Sequence, residues 1–232
     1  MSNELSIFKP NNTSLVSADE LETFSEVAKA SEFLPRIQLI TKGKYVDTGK
    51  IKPGHWGVPQ TGGEEIEDLG EVIDIIPLDY RPKALDVSDK EAIITVYDVK
   101  DPEFQRIKKA PKNSGCMWGP SFLVLERSTG LLYELFFGNK SGRAEADKMK
   151  PFLPQAANKG VPSPARLKIH YKKGPDYGWH VPVIIKCSEP FSPEQIKVDD
   201  AKIADERWKF RNPPKGTEKV DESEANTQKR AR

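Results

Sequence analysis

The stretch from Cys116 to Leu153 constrains this chain more than any other. CMWGPSFLVLE (116–126) and LLYELFFG (131–138) are apolar, β-rich runs. Between them lies Arg127-Ser128-Thr129-Gly130, a turn cluster with hairpin spacing. The polar join Asn139-Lys140-Ser141-Gly142-Arg143 follows, and Gly142 to Lys150 reads as a helix halted by Pro151. Ser141 is the expected N-cap. Gly, Lys, Ser and Arg at a strand-to-helix join invite a phosphate-loop reading. The P-loop needs GxxxxGK[ST], and the Gly138 and Gly142 spacing does not supply it. Nucleotide hydrolysis is therefore not expected, and Lys140 and Arg143 remain as candidate contacts to a backbone phosphate.

Strands surround this unit. FLPRIQLI (33–40) and His55-Trp56-Gly57-Val58 form an expected N-terminal strand pair, with loops over most of 42–70. EVIDIIPLDY (71–80) reads as a long strand in which Pro77 marks an edge or a bulge. EAIITVYDV (91–99) is rich in β-branched residues, and DPEFQRIKKA (101–110) is a short helix or connector. RLKIHYK (166–172) and WHVPVIIKC (179–187) make a final hairpin across KGPDYG. Strands, a long hairpin, one helix and a last hairpin predict a mainly β fold with few helices. The layout is that of an OB-fold-like, partly open β-barrel with the helix between strands 3 and 4.

The termini differ from this body. Residues 1–33 read as an acidic arm with one short helix capped near Ser17, residues 34–191 as the barrel domain, and residues 192–232 as a polar helix and a disordered tail. Nineteen prolines and sixteen glycines favour many short elements over long helices. No apolar run approaches the ~20 residues of a membrane span, and MSNELSIFKPNN lacks a leader pattern, so a cytoplasmic protein without membrane partners is expected. Cys116 and Cys187 fit neither a disulfide framework nor a CxxC zinc site.

The net charge of +1 conceals an uneven distribution. Residues 101–188 carry 15 basic and 7 acidic side chains, whereas residues 1–33 carry 2 and 6. A basic block of this kind attracts polyanions. Its cations interleave with aromatics: Arg106, Lys108, Lys109 and Lys112 lead into Trp118, and Lys168, Lys172 and Lys173 surround Tyr171, Tyr177 and Trp179. Cations that follow phosphates and rings that stack on bases are what single-stranded nucleic acid requires. Period-2 alternation in 166–172 puts Leu167, Ile169 and Tyr171 on one face and Lys168, His170 and Lys172 on the other. Phe122 and Tyr133 join the candidate rings; the competing reading makes Trp118, Phe122, Tyr133 and Phe136 core residues and the lysines a solvated face.

Other chemistry is thin. His170 and His180 face each other in principle across the last hairpin, but Cys187 is an odd seven residues from His180, so no metal site or other cofactor is expected. Asp79 with Asp98-Val99-Lys100 loosely matches a metal-dependent nuclease triplet, a pattern that arises easily in a chain that is 31% charged.

The segments FLPRIQLITKGKYVDTGKIKPGHWGV, IIPLDYRPKALD and SGCMWGPSFLVLERSTGLLYELFFGNKS resemble a group of uncharacterised proteins encoded by tailed bacteriophages, over roughly residues 33–190. The strand–helix order is similar to that of the OB-fold single-stranded DNA-binding proteins of phages. That resemblance implies a non-enzymatic, sequence-tolerant single-stranded DNA-binding protein of replication or recombination, with replication or recombination proteins as further partners. Such proteins commonly end in an acidic recruiting tail; this chain ends in Gln228-Lys229-Arg230-Ala231-Arg232. The alternative is a phage structural or host-interaction protein that ignores nucleic acid.

Overall fold

The computed structural model describes residues 34–60, 62–89, 92–155, 162–175, 177–188 and 198–213. The expected acidic arm and the tail beyond residue 213 lie outside these. The described elements, in order, are β1 (Arg36–Ile40), α1 (Lys44–Asp47), β2 (His55–Pro59), β3 (Ile66–Gly70), β4 (Val72–Asp86), β5 (Ile94–Val96), α2 (Pro102–Lys109), β6 (Cys116–Glu126), β7 (Leu131–Phe136), α3 (Lys140–Ala146), a 3-10 helix (Asp147–Phe152), β8 (Ala165–Lys173), β9 (Gly178–Lys186) and α4 (Asp200–Arg211). No helix among the described residues is long and apolar enough to cross a membrane.

The fold is mainly β, built on one mixed nine-stranded sheet in the order β3-β2-β1-β7-β6-β4-β8-β9, with β5 added beside β4. Every pairing is antiparallel except β1 with β7, which is parallel. The hairpin β6–β7 forms where the sequence expects it. Glu126, 1% exposed, fixes its turn by accepting from the Ser128 and Thr129 amides at 3.0 and 2.7 Å, and Gly130 takes a left-handed φ of 68°. β4 runs six residues further than its sequence pattern suggests. Its two prolines explain how. β8 pairs with it only over Val72–Ile75 and β5 only over Ala84–Asp86. Pro77 and Pro82 fall between those ladders, where β4 has one described neighbour and a missing N–H costs nothing. The register also shifts between Pro77 and Asp79, a bulge at the first of the two prolines.

The sheet curls around one core of Ile37, Trp56, Ile73, Ile75, Phe122, Val124, Tyr133, Leu135, Phe137, Leu167 and Ile184, into which α3 and the 3-10 helix insert Ala146 and Met149. The helix after the long hairpin therefore sits where expected. The hydrogen-bonded closure of a barrel does not appear: β7 takes β1, not β9, as its second neighbour. The edge of β9 that has no partner strand among the described residues is built against pairing. The Ile184 amide points away from β8 to Glu145 Oε1 at 3.3 Å, and Pro182, two residues earlier on the same edge, has no N–H to offer.

Two further expectations change. The strand expected over 91–99 shrinks to Ile94–Val96, because Asp98 turns back onto the Lys100 amide at 2.8 Å and Asp101 caps α2 through the Glu103 amide at 2.8 Å. The C-terminal helix, expected as an extension, packs on β4. Phe210 is 3% exposed, and its carbonyl accepts from Arg81 Nη1 at 2.8 Å.

Candidate nucleic-acid interface

β8 pairs with β4 no further than Lys168, opposite Val72. From Ile169 to Lys173 it pairs, among the described residues, only with β9, so the end of the hairpin is a two-stranded ribbon that continues beyond β4. The expected alternation holds. Leu167 is fully buried, and Lys168, His170 and Lys172 are exposed on the opposite, outer face. Trp179 lies directly across from Lys172 and shares that face. Its ring stands 5.5 Å from that of Tyr177, tilted by 46°. Tyr171 and His180, paired on the other face, are 5.0 Å apart. Tyr171, Tyr177 and Trp179 remain 55%, 71% and 38% exposed, an unusual concentration of open rings on one ribbon.

Three glycines leave room for these rings. A Cβ on Gly174 would come within 3.0 Å of the Trp179 ring, one on Gly178 within 1.9 Å of the Tyr171 hydroxyl, and one on Gly54 within 2.6 Å of His180. No family model, curated protein or solved structure matches this chain. The geometry alone therefore carries the functional argument.

The second basic group lies elsewhere. Arg106, Lys108, Lys109 and Lys112 sit on or just after α2, beside the Ala84–Asp86 end of β4, whereas the ribbon continues beyond the Val72 end. At about 3.3 Å per residue, the fifteen residues of β4 separate the two groups by up to ~46 Å. Arg106 is committed to Asp86 at 2.6 Å and Glu103 at 2.7 Å, which raise its pKa. Trp118 is half-buried, with Lys108 Nζ 5.2 Å and Arg143 Cζ 4.1 Å from its ring centre. Arg143 donates to the carbonyls of Trp118 and Gly138 at 2.9 and 2.6 Å, so it buttresses the hairpin–helix join. Lys109, Lys112 and Lys140 are exposed.

Several sequence assignments need correction. Phe122 and Tyr133 are each 2% exposed in the core and present no ring to a base. Burial also raises the Tyr133 pKa. The helix cap is Asn139, whose side chain accepts from the Gly142 amide at 2.6 Å, and not Ser141. His170 and His180 lie on opposite faces of the hairpin, so they do not converge. Cys187 is a buried free thiol beside Asp74 and Arg127. Asp79 is held by Arg211 at 2.6 Å and Arg207 at 3.5 Å, while Asp98 binds the Lys100 amide. No group of three potential metal ligands is gathered among the described residues.

The sequence reading also missed a buried ionic cluster on the outer face. Glu134, 4% exposed, accepts from Arg36 Nε at 2.8 Å, Arg81 Nη2 at 3.2 Å, Lys83 Nζ at 2.9 Å and Ser121 Oγ at 2.6 Å. Burial works against its charge, but the three cations and the Ser121 hydroxyl hold its carboxyl well below the usual range. Lys83 has no exposed side chain, and burial pushes its pKa down to about 8 against the pull of Glu134. Arg81 is stacked between Tyr97 and Phe210 at 3.8 and 4.1 Å. The lone charge within an apolar strand, Glu134 in LLYELF, was the available signal, since a buried carboxylate needs a partner.

Proposed function

We propose that this chain is a non-enzymatic protein that binds single-stranded DNA with little sequence preference, through the β8–β9 ribbon. The observation that carries the reading is the joint exposure of Tyr171, Tyr177 and Trp179 among Lys168, His170, Lys172 and Lys173. Packing against His180, Gly174, Gly178 and one another still leaves these rings 38% to 71% exposed, and that open area lacks an explanation within the fold, since aromatics dominate core burial. Stacked bases supply one, at ~1–3 kcal/mol each, while the lysines neutralise phosphates. The order β4, β6, β7, α3, β8, β9 supports an OB-type unit left open at its last pairing, in which the ribbon is the loop between the final two strands, a usual binding element of that fold. Coating of single strands during phage DNA replication or recombination, in the host cytoplasm, is the role this chemistry suits.

The test is a tryptophan-fluorescence titration with oligo-dT at 50 and 200 mM salt, alongside duplex DNA of the same length. Binding to oligo-dT that weakens steeply with salt and exceeds binding to duplex is expected. Absence of binding at 50 mM salt overturns the reading, and large homo-oligomers that ignore DNA point instead to a structural protein. Mg²⁺-dependent degradation abolished by Asp98→Ala overturns the non-enzymatic part.

A further inference from the structure

We infer that the strand lies lengthwise along the outer face of β8, with phosphates following the column Lys168, His170, Lys172 and a base seated on Trp179 at the ribbon's end, and that Gly174 is a positioning residue for that ring. This rests on the single-strand reading above and adds a direction, a footprint and a glycine to it.

The column is straight and regular. Its members alternate along one strand, so they repeat every ~6.6 Å and span ~13 Å. That repeat is close to the phosphate-to-phosphate step of an extended polynucleotide backbone. The column stops toward the sheet at Arg166, which is next on the same face but is bound through two bonds of 2.7 Å to Asp74. It ends toward the tip at Lys172, whose cross-strand neighbour is Trp179, with Tyr177 beside it. A strand entering along the lysines therefore meets flat rings where the lysines run out. Duplex bases are stacked on each other and cannot use those rings. Beside the column the ribbon is apolar: the buried Val181 and the half-buried Val183 lie across from His170 and Lys168. Three alternate residues and one ring pair set a footprint of about four nucleotides.

Gly174 keeps the ring in place. Its amide closes the turn onto the Tyr177 carbonyl at 2.8 Å. An added Cβ would stand 2.9 Å from that oxygen and 3.0 Å from Trp179 Cζ3, so the turn or the indole must move.

The experiment uses the full chain and oligo-dT of two to twelve nucleotides at several salt concentrations. Affinity is expected to rise steeply to about four nucleotides and then only with the number of binding registers. Lys168→Ala and Lys172→Ala should each lower the magnitude of the log–log salt slope by ~0.7. Trp179→Leu should weaken binding about tenfold with the slope unchanged. Gly174→Ala should resemble Trp179→Leu, and Gly62→Ala, at a left-handed turn with open space around it, controls for a generic glycine effect. Circular dichroism checks that each variant is folded. If the wild type binds oligo-dT but the lysine variants keep its slope, or Trp179→Leu keeps its affinity, the lengthwise track is wrong while single-strand binding stands. If Gly174→Ala binds like the wild type, its positioning role is wrong. A wild type that ignores oligo-dT overturns both readings.

Discussion

Replacing Glu134 by glutamine tests the central physical claim about the sheet's outer face. The carboxylate stands among Arg36, Arg81 and Lys83, one anion for three cations, with Ser121 as a fourth donor. Glutamine keeps the volume, removes the charge and turns one acceptor into an N–H₂ group aimed at donors. Removing one partner of a buried ion pair costs ~3–5 kcal/mol, because the opposite charge stays buried and uncompensated. A domain has only ~5–15 kcal/mol in total. With a urea m-value of ~2 kcal/mol/M, the unfolding midpoint should fall by ~1.5–2.5 M. Lys83→Met is the informative comparison. Its side chain is of similar length, and the sulfur can lie near the Phe136 and Tyr97 rings, now 5.5 and 5.9 Å from Nζ. Glu134 would keep Arg36, Arg81 and Ser121. Burial already pushes Lys83 down to about 8, so its charge is held at a cost, and its loss should change stability by less than ~1 kcal/mol. A Glu134→Gln loss below ~1 kcal/mol, or a Lys83→Met loss as large as that of Glu134→Gln, refutes the reasoning.

Three further perturbations read other parts of the fold. Gly54→Ala, at φ 87° and with a Cβ 2.6 Å from the His180 ring, should cost ~1–2 kcal/mol and lower the thermal midpoint by several degrees; an unchanged melt refutes the close approach. Phe210→Ala empties the site above the Arg81 guanidinium and should cost ~3 kcal/mol, with hydrogen-exchange protection lost first in α4; uniform loss across the sheet contradicts a separately docked helix. Acid stability follows from depressed carboxyls. Burial opposes the Asp86 charge, but bonds from Ser88 and Arg106 outweigh it and bring the pKa to about 2, while Arg166 lowers that of Asp74 and the cations around it lower that of Glu134. Their stabilisation is present above the unfolded carboxyl range near pH ~4 and is lost as pH falls through the folded values, so thermal midpoints should hold from pH 7 to about 4 and collapse toward pH 2. A flat profile down to pH 2 removes these pairs from the account.

The local parts of the fold were legible because they are encoded locally. The β6–β7 hairpin, the helix after it and the final hairpin each carry their own turn residues. What escaped is long-range. Nothing around Arg36-Ile37 announces a parallel partner nearly a hundred residues away on β7. The open edge of β9 does have a sequence trace, Pro182 in the middle of a strand, which reads as an edge strand once the missing N–H is counted. Its second guard, Glu145, is visible only when α3 has been placed against β9.

The same distinction explains which candidate residues the structure leaves exposed and which it buries. Ser121 to Glu126 is buried at every position, on both faces of its strand. A run of that kind has no period-2 signal, so the ring of Phe122 looked as available as any other. RLKIHYK alternates as far as Ile169, because there one face packs and the other meets solvent, and the sequence separated Lys168 and His170 from Leu167 correctly; beyond it Tyr171 is 55% exposed on the inner face. The outer face of β4 carries a third pattern. Asp79, Arg81 and Lys83 alternate like a solvated face, yet they lie under α4 and beside Glu134 and are largely withdrawn from water. Alternating charge therefore has two readings, exposed column or buried network. An opposite charge within reach on the same face decides between them. Glu134 supplies it for β4 from β7, across the intervening β6; Val181 and Val183, across from His170 and Lys168 on β8, do not. A basic column without an acidic partner in its ladder keeps its charges open to solvent, which is why the proposed single-strand track is placed on β8 and not on β4.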